Sequence, residues 1–339
     1  MRSPLCLLVA SILSISVAFP HRATAQTASE SPQGSDRRQV VPFLEGSDVF
    51  VSLPTHGAIF EADISPNLIM YQNFSDEIDL ASNGGVRRAF SISGTPEVRL
   101  RMLRERSSPV RTPSYMPKVT AQMFWFVGES GRHMRLWAAQ LTVGHHSNGQ
   151  DGCLYLDQHV VAGQEQCAPQ ILNRDASAPV NKRDGSFSTN YLTIGARFRQ
   201  TAVDAHDRGK SEWTAGADIE FNPDGFLGGA AIVPELRQLY GPTRVSALAA
   251  TAARWGKVCT GRAEAQVSLK YIMDAPSSVS PVATTLRGSC IFSDAGGWGL
   301  LLRFYHGQDY YNLGFLDNIT RVSLGVTYAQ DGFLRFKTR

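Results

Sequence analysis

Side-chain alternation constrains this chain more than any other feature. From 137 to 148, Trp137, Ala139, Leu141, Val143, His145 and Ser147 fall on one face, with Ala138, Gln140, Thr142, Gly144, His146 and Asn148 on the other. Successive residues of a strand point to opposite sides, so this is a β pattern. From Asn190 onward, Leu192, Ile194, Ala196 and Phe198 oppose Tyr191, Thr193, Gly195, Arg197 and Arg199. Two arginines on one strand face suit a polar lumen, not a dry sandwich core. A transmembrane barrel places apolar side chains toward lipid and polar ones inward. The same alternation recurs at 98–102, 119–125, 218–221, 266–271, 297–304 and 321–328. The pattern predicts an all-β fold, an antiparallel transmembrane β-barrel of about 12 strands. The expected strands are 67–74, 88–94, 97–104, 117–127, 134–147, 188–200, 212–221, 243–254, 262–273, 282–292, 297–306 and 319–329.

The beginning of the chain reads as an export signal. Arg2 precedes an apolar run from Leu5 to Phe19, and Ala23-Thr24-Ala25 follows as a cleavage site, so residues 1–25 are set aside from the fold. That run is too short to span a bilayer, and no later stretch approaches the roughly 20 apolar residues a spanning helix needs. Residues 26–66 read as a polar segment and leader, with a short strand at Val49–Leu53, and 67–339 as the barrel domain. The formal net charge of +3, with no long basic block, excludes nucleic acid as a partner class.

Connection lengths alternate. Gly94-Thr95-Pro96, 255–261 and 293–296 are short; 148–187, 222–242 and 307–318 are long. In such barrels the short turns are periplasmic and the long loops external. Cys6 falls in the leader, leaving four cysteines in an exported chain and three possible pairings. The loop topology favours Cys153–Cys167 in an external loop and Cys259–Cys290 near the periplasmic rim.

His145-His146-Ser147-Asn148-Gly149 ends the fifth expected strand. His145 and Ser147 are two residues apart and share the lipid face. A serine hydroxyl becomes a nucleophile when an imidazole takes its proton, and the imidazole needs a third group to fix its tautomer. Asn190 begins the neighbouring strand with the same outward parity. His146 points to the lumen and reads as structural. A strand end followed by an Asn-Gly turn would explain the motif without chemistry. Polar groups aimed at lipid, however, are costly and are usually functional.

These residues resemble the outer-membrane phospholipase A family. The resemblance rests on HHSNG at 145–149, GSFSTNYL at 185–192, SSPVRTPSYMP at 107–117 and LRFYHGQDYYNLGFLDNITRVSLGVTY at 302–328. It implies a calcium-dependent phospholipase A1/A2 with Ser147 as nucleophile, His145 as base and Asn190 as orienter. It also implies Ca²⁺ held by the Gln150 carbonyl, Ser186 and Ser107 from a second subunit. The active form would be a homodimer in the bacterial outer membrane, acting on membrane phospholipid. The chain departs from the family at Gln150, where an arginine is usual, and in the long stretch between Ser147 and Asn190. Asp224 is the one candidate for the family's acidic calcium ligand. A lipid A deacylase and a catalytically silent porin-like barrel are the rival readings.

Overall fold

The computed structural model describes residues 43–53, 58–73, 87–104, 110–128, 133–155, 180–203, 209–228, 234–255, 259–293 and 297–330. The expected leader peptide, Ser107 and Cys167 lie outside the described residues. Thirteen strand segments form one antiparallel sheet: β1 Ser47–Ser52, β2 Ala58–Ile64, β3 Leu68–Gln72, β4 Arg87–Leu103, β5 Val110–Gly128, β6 His133–Ser147, β7 Ser188–Val203, β8 Gly209–Phe221, β9 Thr243–Trp255, β10 Cys259–Ile272, β11 Val282–Ile291, β12 Gly297–Gln308 and β13 Asn318–Ala329. A short helix, α1 Pro234–Tyr240, starts on a proline, whose missing N–H costs nothing at a first helical position.

The sheet closes on itself. β1 pairs with β13 on one side and β2 on the other, and β2 pairs with β4. β2 and β3 occupy a single place: Ile64↔Val98 and Leu68↔Gly94 keep one register along β4. The thirteen segments therefore make a closed twelve-stranded barrel, as the alternation predicts.

Two details differ from the sequence reading. Gly94-Thr95-Pro96 is no turn; it lies inside β4, which runs 17 residues without reversing. Pro96 pairs laterally with Pro117, and the β2–β3 register sets Pro66 opposite Pro96. Proline cannot donate to the ladder, so these residues interrupt the neighbouring strand at 65–67 without bending β4 back. The place this frees is filled by the expected leader segment, since Ser47–Ser52 is a full barrel strand.

The outer face carries an apolar belt of the kind lipid requires. Trp137, Leu141, Ile194, Leu269, Leu300 and Leu324 are all exposed. Aromatic side chains ring it at two levels. Trp137 meets Phe198 at 4.5 Å and Trp298 meets Tyr328 at 5.2 Å near the short turns. Tyr115, Phe221 and Tyr271 are exposed toward the long loops. Such girdles mark the two membrane–water interfaces. Among the described residues no helix is long and apolar enough to cross a membrane.

Inside, charge is matched by charge. Arg99 pairs with Asp63 at 2.9 Å, Lys118 with Glu97 at 2.9 Å and Arg197 with Asp218 at 2.7 Å. Buried Glu61 takes Arg101, Arg321 and the Tyr310 hydroxyl, while Arg101 also reaches Asp309 at 2.6 Å. A polar cavity of about 630 Å³ remains between these groups. Apolar clusters also sit toward each end of the lumen, which alternation does not reveal. Phe43 stacks against Phe124 among Ala89, Phe126, Leu136 and Ala138 near the short turns. Phe187, Leu236, Tyr240, Leu313 and Phe315 form a stopper at the long-loop mouth.

Cys259 and Cys290 form a disulfide with Cα atoms 5.3 Å apart, where β10 begins and β11 ends. The pairing matches the one that loop topology favours. The bond spans 31 residues, and such a cross-link acts mainly by restricting the unfolded chain. Replacing both cysteines by serine is expected to cost about 2–4 kcal/mol. A lower urea midpoint in micelles would register it; an unchanged midpoint would mean that the ladder alone sets stability.

Candidate active site

β6 ends at Ser147 because the next two residues redirect the chain. Gly149 has φ +62, a left-handed conformation that glycine adopts without a Cβ penalty. Asn148 then clamps the outgoing and returning chains together. Its backbone N–H donates to the Phe187 carbonyl at 3.1 Å, and its side-chain amide donates to the Gly185 carbonyl at 2.7 Å. Its Oδ1 accepts from the Phe187 N–H at 3.0 Å. The long connection thus leaves and re-enters the barrel at one point, setting β7 in register against β6.

That register pairs His145 with Asn190 and Ser147 with Ser188. All four side chains project outward from the barrel, half-buried, just beyond the apolar pair Val143 and Leu192. The patch lies level with Tyr115, which pairs with Ser147 from β5 and belongs to the long-loop girdle. Its place is therefore the interface between hydrocarbon and headgroup.

His145 Nδ1 and Asn190 Oδ1 are 2.6 Å apart. Asn190 Nδ2 donates to the Phe226 carbonyl at 2.7 Å, which fixes the amide with its oxygen toward the imidazole. An amide oxygen can only accept, so Nδ1 carries the proton and Nε2 keeps its lone pair. The structure thus brings together two of the three expected catalytic residues at bonding distance. The third behaves differently: among the described residues Ser147 makes no hydrogen bond to His145. The hydroxyl at Nε2, 3.5 Å away, is that of Ser188. Ser188 was legible in principle, because it precedes Asn190 by two and shares its parity.

His146 points the other way, as its parity requires. Its Nε2 meets the Ser114 hydroxyl at 2.9 Å, its Nδ1 meets the Tyr240 hydroxyl at 3.0 Å, and Phe187 stacks edge-on at 4.9 Å. Burial pushes the Tyr240 phenol up to about 12, so it stays protonated at neutral pH. The inner network ties β6 to the stopper and so steadies the strand that presents His145.

The expected metal ligands are arranged in part. Gln150 donates its side-chain amide to Thr112 Oγ1 at 3.0 Å, which leaves its backbone carbonyl uncommitted to that contact. Ser186 is exposed, and its N–H donates to the Gly152 carbonyl at 2.9 Å, so the 150–152 and 185–186 segments run side by side. Asp224 is engaged by Arg237. Among the described residues no group of three His, Cys, Asp or Glu side chains could hold a metal.

No protein-family model matches the chain, and no curated protein matches it. Solved structures do match. Outer membrane phospholipase A from Escherichia coli aligns at 10% identity with a TM-score of 0.44, over 87% of this chain and 98% of that one. The Salmonella typhi outer membrane phospholipase dimer with bound calcium aligns at 10% identity and a TM-score of 0.44, over 89% and 94%.

Proposed function

We propose that this protein is a bacterial outer-membrane phospholipase that hydrolyses acyl esters of the surrounding lipid. The observation that carries the reading is the His145–Asn190 pair, 2.6 Å apart on the lipid-facing surface at the long-loop girdle. A buried-facing pair would serve packing. An outward pair at this depth meets the ester linkages of phospholipid, which lie just beneath the headgroups.

In this reading Asn190 holds the Nδ1 proton and His145 Nε2 acts as general base. Ser147, on the same face, supplies the nucleophile once its hydroxyl turns toward Nε2. Its Oγ–H proton passes to Nε2 as Oγ bonds to the acyl carbon, and Nε2 returns that proton to the departing glycerol oxygen. Water then releases the fatty acid by the reverse sequence. The external orientation follows from the long connections at this rim.

The donors near the site suit a hard cation in kind, since Gln150 and Ser186 offer neutral oxygens from adjacent segments. In this reading Ser107 of the partner subunit completes a shared site. Ca²⁺, when bound there, would polarise the ester carbonyl. Dimerisation through the outer faces would then gate activity.

The test is fatty-acid release from phospholipid micelles by refolded protein, with Ca²⁺ and with chelator. Calcium-dependent release is the expected result, and Ser147→Ala should reduce it while leaving heat-modifiable folding intact. No release from folded wild-type protein under either condition would overturn the reading. The porin-like alternative would show itself as single-channel conductance without fatty-acid release.

A further inference from the structure

We infer that Ser188 is a second catalytic hydroxyl of this site, able to accept the acyl group from His145-assisted attack. The inference rests on the phospholipase reading and deepens it. Three observations carry it. Ser188 Oγ is the hydroxyl at His145 Nε2, at 3.5 Å. Ser188 lies directly across the ladder from Ser147, on the same outward face. Among the described residues its hydroxyl has no other partner, so nothing else in the barrel accounts for a polar group facing lipid at this level.

The geometry follows from strand pairing. Residues diagonal across an antiparallel pair lie within reach of long side chains. His145 is bonded to Asn190 directly opposite, which draws its ring over β7. The diagonal neighbour there is Ser188, whereas Ser147 must be reached back along the histidine's own strand. Two serines therefore flank one base. Catalytic hydrogen bonds are often long before substrate binds, so 3.5 Å leaves Ser188 able to close on Nε2.

The chemistry balances as it does for Ser147. The Ser188 Oγ–H bond breaks as Nε2 takes the proton. An Oγ–C bond forms at the acyl carbon, the ester C–O bond to glycerol breaks, and the alcohol leaves with the proton from Nε2. Water then attacks the acyl carbon with Nε2 as base, restoring the serine.

The test uses full-length protein refolded in micelles and a long-chain alkylsulfonyl fluoride, whose sulfur a base-activated serine attacks with loss of fluoride. Cleavage after Arg174 and after Arg183 and Arg197 puts Ser147 and Ser188 in separate fragments, and tandem mass spectrometry separates Ser188 from Ser186. Ser147→Ala is expected to remain labelled, at Ser188. Its labelling should be about 10²-fold faster than that of the Ser147→Ala, His145→Ala double variant. Ser147→Ala, Ser188→Ala should take no label while remaining heat-modifiable. Labelling of wild type at Ser147 alone, with none on folded Ser147→Ala, would overturn the inference and leave the phospholipase reading standing. Absence of any label on folded wild type would overturn both.

Discussion

Replacing His145 by alanine is expected to lower phospholipid hydrolysis by about 10⁴-fold or more, a loss typical of removing the base from a catalytic set that works as a unit. In the outward patch the imidazole is the group placed to serve as general base. Both serines depend on it, so no neighbouring hydroxyl rescues its loss. Asn190→Ala should cost about one to two orders of magnitude less, because it frees the ring to rotate and change tautomer without removing the base. The barrel should fold normally in both variants, since the four outward side chains contribute little to the ladder. Initial rates on micellar phospholipid, taken alongside heat-modifiable mobility, separate catalysis from folding. A folded His145→Ala protein with wild-type rates would end the case for this site.

The largest expected effect on stability lies inside the barrel, at Glu61. Its carboxylate is buried and meets Arg101 at 3.2 Å, Arg321 and the Tyr310 hydroxyl at 2.7 Å. Arg101 keeps Asp309 as a second partner. Arg321, itself buried, has no other ion-pair partner among the described residues. Glu61→Ala would strand that guanidinium, and breaking a buried pair from one side costs about 3–5 kcal/mol. Urea unfolding in micelles should show a clearly lower midpoint. Glu61→Gln, which keeps an acceptor but no charge, should fall between. A midpoint within error of wild type for Glu61→Ala would mean that water enters the lumen and solvates Arg321.

Much of this was readable from residue order. Parity along 137–148 and 190–198 identified the outward faces, since a lipid belt and a charged lumen leave opposite marks on alternate positions. The same parity placed His145 and Asn190 on one surface. Their 2.6 Å approach could not be read, because it depends on the exact β6–β7 register, which Asn148 fixes through three hydrogen bonds to a distant part of the chain. Pro96 misled for a related reason. A proline signals a lost ladder bond but does not say which of two neighbouring strands gives way; here β4 continued and the strand beside it broke. The apolar stoppers were hidden too, because Phe43 and Leu313 come from segments whose partners lie far off in sequence.

The apolar stopper at the long-loop mouth has a consequence for ions. Phe187, Leu236 and Phe315 pack together where the barrel meets its long loops. Apolar side chains at the long-loop mouth stand between the outside and the charges of the lumen, so an ion entering there would shed water before it met a partner.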